Sequence, residues 1–345
     1  MSQPSADRRR VAIFGAIVAV CAIVAVVAVL IGAGGDDGGE ASANATTALP
    51  AAKADGTRMV LYRDLASHGR VEIATAGATA AGPPTQSGMR CDRVYFAAGR
   101  GICVTRGSGF AAGYRAKVFD SALKVTADLP VEGIPSRARV SPDGRYGATT
   151  LFVSGHAYAE AGTFSTATTI FDLQKGAEIA DLEKFTTYAA DGKVVTAEDV
   201  NYWGVTFDPA DSDTFYATLA TGGKTFLIRG SVSERRARVL KENVECPSIS
   251  PDGTRIAYKK RTGSKSRPWH LTVLDVKTLR ETSLAEPRSV DDQVEWLDDR
   301  HVLYGVADAI YQANADGSGT PVKYAAGADS PAVVRWAPES AAVRQ

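Results

Sequence analysis

The segment Val140-Ser141-Pro142-Asp143-Gly144-Arg145 returns almost unchanged as Ile249-Ser250-Pro251-Asp252-Gly253-Thr254-Arg255. Each copy is followed by an apolar strand, a loop and a second strand closing on aspartate, Ile170-Phe171-Asp172 and Val273-Leu274-Asp275. Degenerate copies are Phe207-Asp208-Pro209 before Thr214-Phe215-Tyr216, Trp296-Leu297-Asp298 before His301-Val302-Leu303, and Cys91-Asp92-Arg93 before Val94-Tyr95-Phe96. Pro142 and Pro251 fix φ at the start of a turn, and Asp143 and Asp252 can bond their own backbone. Gly144 and Gly253 take the positive φ that other residues resist. These six residues are therefore read as turn formers and not as ligands. A repeating unit of short strands cannot bury its apolar face alone and must stack on its neighbours.

Period-two alternation between turn residues, with no long amphipathic run, predicts an all-β fold with few helices. Second strands are placed at Arg58, Arg93, Arg145, Thr214, Arg255 and His301, mostly near the ~40–50 residue period of a four-stranded propeller blade. The long interval before Thr214 holds an insertion, residues 182–201, expected to project from one face. At the C-terminal end Val334-Arg335-Trp336-Ala337-Pro338-Glu339 reads as a first strand entering its turn. Asp55-Gly56-Thr57-Arg58-Met59 reads as the continuation, a near copy of Asp252-Gly253-Thr254-Arg255-Ile256. The N- and C-terminal strands would share a blade, sealing the sheet edges and giving six blades.

The repeats SPDGRYGATTLFV and SPDGTRIAYKK resemble the TolB-type β-propeller repeat, also seen in the propellers of prolyl-oligopeptidase-like enzymes. The match spans most of residues 55–338. The resemblance implies a fold and no particular activity. It departs from TolB itself, which carries an α/β domain where this chain has an apolar segment and a spacer. The likeness is to membrane-anchored TolB-like propellers.

Residues 11–33 contain no charged side chain. At ~1.5 Å per residue the run reaches about 34 Å, enough to cross a ~30 Å hydrocarbon layer. Arg8, Arg9 and Arg10 precede it, and Asp36, Asp37 and Glu40 follow. The expectation is a cytoplasmic tail (1–10), a transmembrane helix or signal-anchor (11–33), a flexible Gly/Ala/Ser-rich stalk (34–54) and an extracytoplasmic propeller (55–345). The protein would sit in a bacterial cytoplasmic membrane, and would be secreted if the segment were cleaved. The 39 basic and 39 acidic residues leave no cationic excess for nucleic acid.

Chemistry is sparse. Cys91 and Cys103 flank the hairpin turn Ala97-Ala98-Gly99-Arg100-Gly101 and are expected to form a disulfide in an oxidising compartment, while Cys246 is read as a small buried residue. His68, His156, His270 and His301 lack metal-ligand spacing, so no metal or cofactor is assigned. No Gly-x-Ser-x-Gly occurs, and Ser121-Ala122-Leu123-Lys124 and Gly222-Gly223-Lys224-Thr225 read as turns. No catalytic residue is assigned. Tyr202 and Trp203, directly after the insertion, are the candidate binding aromatics. The reading is a non-enzymatic binding or scaffold propeller for a protein or cell-wall ligand at one face. The alternative is a propeller enzyme, of metal-dependent lactonase or glycan-cleaving type, with residues drawn from several blades around the channel.

Overall fold

The computed structural model describes residues 48–50, 57–108, 112–153 and 165–336. Residues 11–33 lie outside these. Among the described residues no helix is long and apolar enough to cross a membrane.

Six sheets follow one another along the described residues, antiparallel except for one parallel pair in the fourth sheet. Blade 1 contains β1 (Met59–Asp64), β2 (Arg70–Thr75) and β3 (Thr85–Arg90). Blade 2 contains β4 (Arg93–Ala97), β5 (Arg100–Arg106), β6 (Tyr114–Asp120) and β7 (Val125–Val131). Blade 3 contains β8 (Ile134–Val140), β9 (Tyr146–Val153), β10 (Ser165–Asp172) and β11 (Ala177–Asp181). Blade 4 contains β12 (Thr186–Tyr188), β13 (Asn201–Phe207), β14 (Thr214–Thr221), β15 (Lys224–Ser231) and β16 (Arg236–Glu242). Blade 5 contains β17 (Glu245–Ile249), β18 (Arg255–Arg261), β19 (Trp269–Asp275) and β20 (Glu281–Ser283). Blade 6 contains β21 (Glu295–Trp296), β22 (His301–Val306), β23 (Ala309–Asn314) and β24 (Val322–Ala326). The last strand, β25 (Ala328–Val333), returns to blade 1 and pairs with β1, matching Val60 with Val333 and Leu61 with Ala332. The fold is thus a six-bladed β-propeller whose ring is closed by N- and C-terminal strands of one sheet. Strands β25, β4, β8, β13, β17 and β21 touch in sequence around the axis and form the channel wall.

The repeated turns join each innermost strand to the next. Asp143 Oδ1 accepts from the Ser141 hydroxyl (2.6 Å) and the Arg145 N–H (2.9 Å), and Gly144, at φ +70°, donates to the Ser141 carbonyl. In the second copy Asp252 Oδ1 accepts from the Thr254 N–H (3.0 Å), with Gly253 at φ +72°. These aspartates are consumed by their own turns, as the chemistry of the motif requires.

Two expectations change. Arg93 opens the innermost strand of blade 2, not the second; the second begins at Arg100. The loop joining them is a tight hairpin with Ala98 and Gly99 both at positive φ, a turn built without the Pro-Asp-Gly motif. Residues 182–201 do not simply project. Leu182–Lys184 form a 3-10 turn, and β12 adds a fifth strand to blade 4, parallel to β16. Leu182, Phe185 and Thr187 are buried there. The exposed part is the turn beyond Tyr188, closed by the Ala189–Lys193 hydrogen bond.

The apolar residues of each blade pack on the next. Phe96, Phe119 and Ile102 of blade 2 share a cluster with Phe171 of blade 3 and Ala332 of β25. Each of the four larger side chains, fully buried, contributes about 1.5–3 kcal/mol. Leu49, inside the stretch read as stalk, is buried in the same cluster, and its N–H donates to the Ser121 carbonyl (2.7 Å).

Candidate functional site

The innermost strands carry charge where a solitary strand would carry apolar side chains. At the end of the channel bordered by the Pro-Asp-Gly turns, Glu295 of β21 is 1% exposed. Its carboxylate pairs with the Arg139 guanidinium of β8 and accepts from the Tyr95 hydroxyl of β4 (3.2 Å) and the Val333 N–H (3.3 Å). Arg139 also donates to Ser248 Oγ (3.1 Å) and the Val294 carbonyl (2.6 Å), and lies over the Tyr95 ring at 4.6 Å. Burial opposes the Arg139 charge, but the adjacent Glu295 carboxylate outweighs it and holds the guanidinium above its ordinary value. Burial and the same carboxylate push the Tyr95 hydroxyl up. Below this pair opens a cavity of about 180 Å³, bordered by Pro142, Pro209, Pro251, Trp296 and Trp336.

At the opposite mouth a second charged group gathers. Lys259 Nζ reaches Asp291 (2.5 Å) and stands 4.0 Å from Glu245, with the Trp269 ring 4.5 Å away. Arg63 grips Asp329 through two hydrogen bonds, 2.9 and 3.1 Å, and reaches the Asp92 carbonyl (3.1 Å). Arg93 is held by the backbone carbonyls of Ser136 and Asp92. Burial and the neighbouring Arg137 guanidinium keep it below its ordinary value. Arg137 stands 3.9 Å from Asp291 and beside Cys246. A cavity of about 30 Å³, the space of one water molecule, lies between Arg93, Arg137 and Asp292.

Backbone irregularities mark this wall. Cys246 and Ser330 adopt φ +49° and +52°, and Gly204 φ +68°, each where pairing with the second strand slips. Such bulges re-aim side chains at barrel rims. The freed N–H groups of Gly204 and Cys246 are taken by Thr150 and Thr218 of the second strands.

The sequence candidates fare unequally. Cys91 and Cys103 are joined by a disulfide, with Cα atoms 5.4 Å apart, and Cys246 is a buried free cysteine. Tyr202 and Trp203 are 2% and 6% exposed. The Tyr202 hydroxyl meets Thr187 of β12 at 2.9 Å, and its carbonyl accepts from Thr166 and Thr168. Tyr202 thus ties the insertion to blade 4, and burial leaves little of either ring open at the surface. Sequence reasoning missed Arg93, Arg137, Arg139, Glu245, Lys259 and Glu295. A signal existed: charge within a strand that leads into a Pro-Asp-Gly turn, as in Ser136-Arg137-Ala138-Arg139-Val140. Among the described residues no group of three or more His, Cys, Asp or Glu is placed to hold a metal ion.

No family model matches the sequence, and no curated protein does. Solved structures do. TolB from Acinetobacter baumannii is 16% identical, with 81% of this chain and 67% of that chain covered at a TM-score of 0.55. A chain of a nidogen/laminin complex is 10% identical, with 81% and 98% covered at 0.54. At these identities the likeness establishes the fold, a TolB-like six-bladed β-propeller.

Proposed function

We propose that this protein is a non-enzymatic binding or scaffold propeller, held at the outer side of a bacterial cytoplasmic membrane by residues 11–33. One observation carries the binding reading: the central carboxylate is committed to structure. Glu295 is saturated by Arg139, Tyr95 and the Val333 N–H, whereas a working acid or base needs a free lone pair facing its substrate. Such a network fixes the spacing of the blades and leaves the faces to present loops. The Cys91–Cys103 disulfide supports the outer location, since such bonds persist in oxidising compartments. The partner expected is a protein or cell-wall component at one face.

The test is photo-crosslinking of the full chain in intact cells. Probes go at exposed Val194 on the insertion turn and, one at a time, at exposed Val322 and Leu279 on other blades. A reproducible adduct from one position and not the others supports the reading. Hydrolysis of a lactone or glycan by the purified chain, abolished by Glu295→Gln, would replace it with the enzyme reading.

A further inference from the structure

Blade 4 differs from the other blades by its fifth strand, and beside that strand lies an open groove of about 470 Å³. Its floor is cationic. Strand pairing sets Arg229 of β15 directly opposite Arg238 of β16. Arg236 lies two residues from Arg238, so all three share one face of the sheet. Tyr188 of β12 is registered with Arg238 and walls the groove from the side. All three arginines are exposed, and none forms an ion pair among the described residues.

Like charges directly opposite on adjacent strands repel, so this arrangement costs stability and calls for a compensating anion. The acids of the groove, Asp211, Asp213 and Glu234, keep their charge, but among the described residues none forms an ion pair with the three arginines. Asp213 accepts from the Ser231 and Ser233 hydroxyls and from the Ser233 N–H. Asp211 accepts from the Asp213 N–H (3.1 Å) and the Thr214 hydroxyl (2.8 Å). Glu234 lies at the rim on the hairpin turn, and the neighbouring Arg235 is spent on the Ile179 carbonyl (2.9 Å). Arg229 also donates a hydrogen bond to the Tyr216 hydroxyl oxygen, so part of its fork is engaged. Guanidinium forks without an ion-pair partner among the described residues match the oxygens of a tetrahedral oxyanion, which arginine takes through parallel hydrogen bonds.

We propose that the groove formed by Arg229, Arg236, Arg238 and Tyr188 on the outer half of blade 4 binds a phosphate-bearing ligand. The insertion that supplies β12 builds one wall of this site, which gives it a role beyond decoration. The proposal rests on the binding-module reading and assigns it a ligand class. The shared chemistry is a phosphate mono- or diester, supplied by a soluble phosphate compound or by an anionic lipid headgroup.

The experiment is thermal unfolding of the full chain in nonionic detergent with pyrophosphate. The wild type should be stabilised in a saturable manner. Arg236→Ala/Arg238→Ala should weaken the apparent affinity by about tenfold or more, as expected for losing two charge-assisted forks. Its unfolding temperature without the anion should stay level or rise, which shows that it folds. Lys265→Ala/Lys277→Ala, on blade 5, controls for diffuse charge. Equal stabilisation of wild type and both variants, or none of the wild type, overturns the proposal. Micelles doped with phosphatidylglycerol or phosphatidylcholine, compared with free glycerol phosphate, distinguish a lipid headgroup from a soluble source. Crosslinking that finds no partner while pyrophosphate protection survives would sink the scaffold reading and leave the groove standing.

Discussion

Gly204 and Cys246 meet on the channel wall: a Cβ placed on Gly204 would lie 2.8 Å from the Cys246 Cα. Each belongs to an innermost strand, each sits at a pairing slip, and each has positive φ. The bulges of blades 4 and 5 therefore interlock through backbone, which cannot move aside as a flexible side chain would. Gly204→Ala combines a strained φ with a backbone clash and should cost about 1–3 kcal/mol. Urea unfolding with the disulfide intact measures it. A loss below about 0.5 kcal/mol would show that the wall yields.

Breaking the axial pair should be among the most damaging changes in the molecule. Glu295→Ala leaves Arg139 buried without its counter-charge, at a cost of about 3–5 kcal/mol. Replacing both partners by apolar residues of similar volume, Arg139→Met with Glu295→Leu, should recover most of that loss. Equilibrium unfolding of the two single variants and the pair gives the coupling. Additive losses would mean that the contact contributes nothing of its own.

Glu183 offers a pH test. Burial, then the hydrogen bond and charge of Asp181, push its carboxyl up to about 9, and one of its oxygens is buried without a hydrogen-bond partner. A raised carboxyl pKa means that the folded state binds the proton more tightly. Its stabilisation is complete below the unfolded value of ~4.5 and is lost as pH rises through about 9. The slope is at most about 1.4 kcal/mol per pH unit. Glu183→Gln, which cannot ionise, should flatten this slope and stabilise the protein at pH 8–9 relative to wild type. Parallel slopes for the two proteins between pH 5 and 9 would contradict the assignment.

The disulfide closes a short loop, with a sequence separation of 12. Chain-entropy reasoning gives a loss of about 3 kcal/mol for Cys91→Ala/Cys103→Ala. Mild reductant should lower the wild-type unfolding temperature and leave the double variant unaffected. Sensitivity of the double variant to reductant would point to the two remaining cysteines, Cys21 and Cys246.

Closure of the ring should control association. Ala332→Pro removes an N–H from β25 opposite Leu61 and weakens the pairing that covers β1. The uncovered β1 edge should promote self-association, read by light scattering as a rise with protein concentration. A monodisperse variant of wild-type stability would show that β25 is dispensable.

Much of the fold was legible because it depends on local spacing. The Ser-Pro-Asp-Gly turns, the shared first blade and the Cys91–Cys103 hairpin each follow from residues close in sequence or from matching chain ends. Where the local signal was weak, the reading slipped. The turn between β4 and β5 is built from Ala98 and Gly99 without the motif, so Arg93 was assigned one strand too far out. Tyr202 and Trp203 carry no local mark separating a packing ring from a stacking one. Tyr202 is covered by β12, through Thr187, and that strand pairs with one fifty residues later in the chain.

The sequence by itself determined an all-β chain of six repeating units, how its ends meet and how its turns are made. These are consequences of backbone chemistry within a few residues. Only the tertiary structure decided that Arg139 and Glu295, 156 positions apart, neutralise each other on the axis. It also decided that Arg229 and Arg238 face each other on blade 4 with no ion pair among the described residues. Charge compensation depends on distance in space, and that distance is set when six separate sheets converge on one channel. The same side chain is therefore a buried structural partner on one blade and an open cation on another.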